Sequence, residues 1–246
     1  MTTIKGARAR ARLEVTAAIK DEARRQLAEE GAAKLSLRAV ARELGMVSSA
    51  LYRYFPSRDD LLTALIIDAY DQIGAAAEFA LRQPPRAGTD VLDVPLVRWT
   101  AVCRAVRSWA LDHPHEYALI YGSPVPGYTA PQDTVGPAAR VGGALIAVAR
   151  DARRAGVLAV PPLDTELVPE ARRLAAQLAP DLPAAVVVAL VAAWSQLFGL
   201  ISFELFGQFH GVVEDRDAFF GQAVARLGRD AGLHSLPTVQ RVHDSP

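Results

Sequence analysis

The stretch SLRAVARELGMVSSALYRYFPSRDDLL, Ser36 to Leu62, decides the reading of this chain. Ser36 is an N-cap residue for a helix whose apolar stripe is Leu37, Val40, Ala41 and Leu44, at the three- and four-residue spacing of a single helical face. Gly45 stops that helix. Ser48 is expected to cap a second, very short helix that ends at Phe55, because Pro56 disfavours helical backbone in the residue before it. Ser57 and Asp60 then form a Ser-x-x-Asp box that opens the next helix. Val40, Ala41, Leu44, Leu51 and Phe55 can face one another across the glycine turn, which makes the segment a self-supporting helix-turn-helix. Tyr52, Arg53 and Tyr54 are left on the exposed sides of the short helix.

Helical signals extend outward from this stretch in both directions, and no run of alternating β-branched residues demands a sheet. A first helix is expected from Leu13 to Glu30, with Leu13, Ala17, Ala23 or Arg24, and Leu27 inward and Gly31 beyond its end. The helix opened by Ser57 can run to about Gln83, where Pro84 and Pro85 break it, and 82–93 reads as a linker. Later helices are expected over 94–113, 138–155, 165–178, 183–206 and 216–230, with a helical turn at 115–121 followed by the Gly/Pro-rich loop GSPVPGYTAPQDTVGP. The fold class is therefore all-α. Residues 1–60 are expected to be a three-helix unit with a basic N-terminal arm, 61–235 a larger helical domain, and 236–246 a frayed tail.

Composition bounds the function. Apolar residues make up 51% of the 246, enough to bury a real core. Formal charge is zero overall, yet up to Leu62 there are twelve Lys/Arg against eight acids, so the front is about +4 and the remainder about −4. That split suits a polyanion-binding front on a body that binds no polyanion. The single cysteine, Cys103, excludes an internal disulfide and a cysteine zinc finger, and fits a reducing cytoplasm. The basic start lacks the apolar core of a secretory signal. Ala184 to Phe203 is long enough to cross a bilayer, but Ser195 and Gln196 near its middle and the absence of a flanking Lys/Arg cluster favour a buried bundle helix, with no membrane partner.

In a helix-turn-helix the second helix enters the DNA major groove N-terminus first, so Val47, Ser48, Ser49 and Ala50 lie nearest the base edges. Tyrosine hydroxyls donate to phosphate oxygens, and a guanidinium clamps phosphate or reads guanine O6 and N7. Arg58, at the start of the following helix, adds a phosphate contact. Arg38, one turn into the preceding helix, is the candidate for a guanine contact from outside the recognition helix.

Residues 35–62 resemble the helix-turn-helix of the TetR family of bacterial transcriptional regulators, with matches at Gly45, Leu51, Tyr52, Tyr54, Phe55, Arg58, Leu61 and Leu62. The family serine is displaced by one, since Met46-Val47 stands where Val-Ser is usual. The resemblance implies phosphate contacts for Tyr52, Tyr54 and Arg58, and base contacts around Arg38, Ser48, Ser49 and Arg53. Arg8, Arg10 and Arg12 resemble the basic arms of some members and read equally as a solubilising tail. The pieces RSWALDHPHEYALIYGSPVPGY (107–128) and WSQLFGLISFELFG (194–207) resemble one C-terminal subtype of the family, which names no ligand.

A single short recognition helix reads few base pairs, so the reading requires a homodimer on a palindromic double-stranded DNA operator, with half-sites about 34–36 Å apart or a multiple. The helices at 183–206 and 217–227 are the expected interface, and Gly199 permits close approach. A pocket for a small-molecule effector is sought where aromatic and polar residues mix at helical spacing: Trp99, Cys103 and Val106; Tyr117 and Tyr121; Trp194 and Phe198. No catalytic motif stands in its required context, no cofactor is implied, and the five histidines show no metal spacing. The expectation is a cytoplasmic, ligand-responsive transcriptional regulator, a repressor in the usual case. An activator, or an architectural DNA binder without a ligand, is the alternative.

Overall fold

A computed structural model describes residues 4–85 and 87–233, and every regular element among them is helical. The expected tail at 236–246 lies outside the described residues. Among the described residues two compact units form: 4–72 with 112–138, and 73–111 with 139–233.

The first unit begins with α1, Ile4–Glu30. Its Ala, Arg, Glu and Gln content favours helix, and Arg25 adds ion pairs to Glu22 at 2.7 Å and Glu29 at 2.8 Å, one turn away on either side. The buried face is Ile19, Ala23, Gln26 and Leu27. Leu13 and Ala17 were expected on it, and both are exposed. Ala17 lies about 200° round the helix from Ile19, so only one of the two registers can face the core. The helix also continues through Arg8, Arg10 and Arg12, so the basic segment is helical and exposed rather than an extended arm. Gly31, at φ 80°, ends α1 in the left-handed conformation that glycine adopts without a Cβ clash.

Helix α2, Leu37–Glu43, is capped by Ser36, whose hydroxyl accepts from the Ala39 amide at 3.4 Å. Gly45, at φ 63°, turns the chain, and the Met46 amide donates back to the Ala41 carbonyl at 2.8 Å. Helix α3 spans Ser48–Leu51 and continues as hydrogen-bonded turns to Phe55, whose amide donates to Leu51 at 3.1 Å. Its N-cap is Val47, not Ser48: the Ala50 amide already bonds the Val47 carbonyl at 2.9 Å, so the register starts one residue early and the Ser48 side chain caps nothing. Helix α4, Arg58–Arg82, opens on Ser57, whose hydroxyl accepts from the Asp60 amide at 3.1 Å and donates to its carboxylate at 2.7 Å. Leu61, Leu62, Leu65 and Ile66 of α4 complete a core with Ile19, Leu27, Leu37, Val40, Leu51 and Phe55.

The first unit also holds α6, Pro114–Tyr121, with proline at the first turn, where a missing amide costs nothing. Leu119 and Ile120 pack on the three-helix core, as do Val125 and Tyr128 of the loop that follows. The Tyr128 hydroxyl shares a 2.9 Å hydrogen bond with Thr63 of α4. That loop is not wholly irregular: a 3-10 turn at Gln132–Thr134 leads into α7, Val135–Ala138.

The second unit is a helical body of α5, Val94–Asp112; α8, Arg140–Arg154; α9, Val168–Leu178; α10, Ala184–Leu205; and α11, Arg216–Asp230. Helix α10 is long and apolar enough to cross a membrane, but here it packs on α8, α9 and α11 and buries Val186, Val187, Leu190, Leu197 and Ile201. It also carries Glu204, whose carboxylate accepts two bonds from Arg107 of α5, at 2.7 and 2.8 Å. The Trp99 indole donates to the Val224 carbonyl at 2.8 Å, tying α5 to α11.

Candidate nucleic-acid interface

The Leu51 and Phe55 side chains anchor α3 in the core, and this fixes which side chains face out. Arg38 on α2 and Ser48, Ser49, Tyr52 and Arg53 on and after α3 are all exposed. Arg38 and Arg53 make no ion pair among the described residues, so both guanidinium groups keep their full hydrogen-bonding capacity for an anion or a base edge. Val47, 70% exposed at the head of α3, offers an apolar contact of the kind a thymine methyl accepts.

The other two members of the expected set are placed differently. Tyr54 is half-buried against the helix-turn-helix core, with the Arg12 guanidinium 5.1 Å from its ring centroid. This cation–π contact brings a charge from the first turns of α1 beside the recognition segment. Sequence spacing gave no sign of it, since the two residues belong to different helices. Arg58, expected on a phosphate, turns a guanidinium nitrogen inward to the Ala32 carbonyl at 2.8 Å and the Ala33 carbonyl at 3.3 Å, where it holds the turn between α1 and α2. Those carbonyls belong to a single 3-10 turn, Ala32–Lys34, in which the Ala32 carbonyl accepts only one long bond, from the Leu35 amide at 3.3 Å, so a second lone pair is open to a cation. Arg58→Ala is accordingly expected to lower stability by about 1–2 kcal/mol, as loss of a charged hydrogen bond does. Urea titration of variant and parent measures it, and equal midpoints would show the clamp to be idle.

The residues expected to mark a pocket divide between the two units. Trp99, Cys103 and Val106 share one face of α5 in the second unit with no accessible surface. Burial pushes the Cys103 thiol well above its usual pKa, which leaves it unreactive. Tyr117 and Tyr121 stack at 5.2 Å in the first unit, Tyr117 fully buried. Trp194 and Phe198 meet edge to face at 5.7 Å on α10, with Trp194 38% exposed.

Known proteins resemble this chain across both units. The family model "Bacterial regulatory proteins, tetR family" matches residues 19–65, and "Tetracyclin repressor-like, C-terminal domain" matches 99–227. HTH-type transcriptional regulators of Mycobacterium tuberculosis and Mycobacterium bovis are each 42% identical over 211 residues, which is 83% of this chain and 86% of theirs. A solved regulatory protein, SCO4313, is 37% identical, covers 89% of this chain and 97% of its own, and superposes with a TM-score of 0.71. An exposed basic face on a helix-turn-helix, on a chain that matches the family at both ends, leaves one conclusion: the chain belongs to the TetR family of bacterial transcriptional regulators, and its N-terminal helix-turn-helix is a DNA-binding element.

Proposed function

We propose that this protein is a cytoplasmic homodimeric repressor that holds a palindromic operator and is released from it by a small molecule. Residues 1–60 read DNA in this scheme, and 61–235 supply dimerisation and effector control. The observation that carries the DNA half is the exposed group Arg38, Ser48, Ser49, Tyr52 and Arg53, in which the two arginines make no ion pair among the described residues. Arg38, Ser48, Ser49 and Arg53 are assigned to base edges and Tyr52 to a phosphate; Tyr54 contributes through its hydroxyl while Arg12 holds its ring. Arg58 serves mainly to set the α1–α2 turn.

Dimerisation is assigned to α10 and α11. Ala192, Gln196 and Phe203 lie exposed along one face of α10, and a Cβ added at Gly199 would meet no atom within 4 Å, which leaves room for a second helix. An effector acts by shifting the population toward a dimer whose recognition helices no longer match the half-site spacing.

The test is selection of random genomic fragments by the purified protein, with the enriched sequence remeasured across a salt series. A palindrome whose affinity falls steeply as salt rises is the expected result. On that operator Tyr52→Phe lowers affinity about 30-fold on every sequence, through one lost phosphate hydrogen bond of about 1 kcal/mol in each half-site. Arg38→Ala costs about 1–3 kcal/mol and relaxes preference at one position in each half-site. Tyr52→Phe altering preference at unchanged affinity would reverse this sorting of contacts.

A further inference from the structure

Within the first unit, α4, α6 and the loop at 122–138 enclose a cleft of about 460 Å3, in the size range of small-molecule sites. Ile66 and Tyr70 of α4, Ile120 of α6, and Val125, Tyr128 and Thr134 of the loop form its working wall. We propose that this cleft is the effector's seat, and that it takes a neutral, largely apolar molecule carrying a hydroxyl or N–H donor. The proposal rests on the reading of the chain as an effector-released regulator and assigns the site that reading leaves open.

Charge decides the first half of the ligand's chemistry. No charged side chain among the described residues lines the cleft, so an ionised ligand would lose its hydration and gain no counter-ion. The tyrosines do not supply one: burial raises the pKa of Tyr70, with Tyr128 nearby adding to the effect, so it stays a neutral phenol. Hydrogen bonding decides the second half. The Thr134 hydroxyl donates to the Pro131 carbonyl at 2.8 Å and the Tyr70 hydroxyl donates to the Ile120 carbonyl at 3.4 Å. Each has spent its proton on the protein and keeps lone pairs for a donor brought by the ligand.

The cleft's walls also explain how occupancy reaches the DNA-binding helices. Ile66 belongs to the buried core of the helix-turn-helix, and Tyr70, Ile120, Val125 and Tyr128 pack directly against it. A molecule seated here presses on the same side chains that set α4 and α6 against the recognition unit. The 2.9 Å Thr63–Tyr128 hydrogen bond, which pins the loop to α4, is the contact most exposed to such a wedge. Packed interiors answer a new occupant by repacking, and the coupling needs no relay through the second unit.

The test uses 1-naphthol and 4-phenylphenol as neutral hydroxyl-bearing probes, with 1-naphthoate as the anion of similar size, all on the full-length protein. Saturable binding of the neutral probes is expected, with 1-naphthoate at least 10-fold weaker. Ala130→Trp, at an exposed lining position, should cut probe affinity at least 10-fold by filling the cleft. Because Cys103 is fully buried, Ser123→Cys provides the one accessible thiol, and the neutral probes should slow its reaction with N-ethylmaleimide, a readout independent of whether Ala130→Trp folds. Bound probe should weaken operator affinity at least 5-fold, the lower end of ordinary allosteric coupling.

The seat is overturned if neither neutral probe saturates up to its solubility limit, or if binding survives Ala130→Trp and leaves Ser123→Cys labelling unprotected. Tighter binding of 1-naphthoate overturns the ligand class. Operator affinity unchanged with the cleft occupied overturns the coupling. Failure of the parent protein to enrich any operator, with the probes still seated and Ser123→Cys protected, refutes the regulator reading and upholds the cleft as a binding site.

Discussion

A chain carrying Phe203→Asp is expected to be monomeric at concentrations where the parent is a dimer, and to lose nearly all operator binding. Phe203 is 52% exposed on α10 and lies in an edge-to-face series with Phe209 at 5.7 Å, which in turn meets Phe219 of α11 at 5.5 Å. In a two-fold interface every residue occurs twice, so one substitution counts twice. Loss of an aromatic anchor costs about 2 kcal/mol or more, hence about 4 kcal/mol per dimer, near a thousandfold in the dissociation constant. Operator affinity follows, because one recognition helix reads only one half-site. Half of the Phe203 side chain's surface is already in solvent, so the monomer should keep its helices. Sedimentation equilibrium with circular dichroism separates the outcomes, and a folded dimer would place the interface elsewhere.

Arg107→Ala is expected to destabilise the body by about 3–5 kcal/mol, the usual consequence of stranding one partner of a buried ion pair. The Arg107 and Glu204 side chains are 12% and 7% exposed, and the guanidinium also reaches Asp217 of α11 at 2.9 Å. Hydrogen bonding to Glu204, opposed in part by burial, raises the Arg107 pKa further, so the guanidinium stays charged throughout the ordinary pH range. Removing the arginine leaves the Glu204 carboxylate buried without its counter-charge. The double variant Arg107→Ala with Glu204→Ala should therefore recover part of the loss. Urea unfolding of the three proteins measures this, and a double variant no better than Arg107→Ala would mean that packing, not charge, is what was lost. Since Arg107 joins α5 to α10 through Glu204 and to α11 through Asp217, the same loss should weaken the proposed dimerisation.

The DNA-binding element was more legible in the sequence than the body was, and the difference is one of range. Helix ends obey chemistry acting over four or five residues. Ser36 and Ser57 present hydroxyls to amides three residues on, Gly31 and Gly45 take up left-handed backbone, and Pro56 and Pro114 act on their immediate neighbours. These signals set the limits of α2 and α4, and Leu51 and Phe55, one turn apart, told which side of the recognition segment is buried. Exposure of Tyr52 and Arg53 then followed from helical geometry alone.

Partners were another matter. Sequence order put 112–138 with the body, yet α6 and the loop after it join the helix-turn-helix, because Leu119, Ile120, Val125 and Tyr128 find their apolar partners on that core. Arg58 reads as a phosphate ligand until the fold sets it against a carbonyl 26 residues away, and Arg107 gains its meaning from a glutamate 97 residues away. Helix α1 was read with Leu13 and Ala17 inward beside Ala23 and Leu27, but only Ala23 and Leu27 of these join Ile19 in the core. A long cationic or apolar side chain is compatible with many neighbours. By itself the sequence determined the all-α class, the helix-turn-helix and its outward face, since each is settled by local backbone chemistry. Only the tertiary structure decided which charges are spent on the protein, which aromatics are core, and where a cleft remains, because those depend on surfaces that folding brings together from distant parts of the chain.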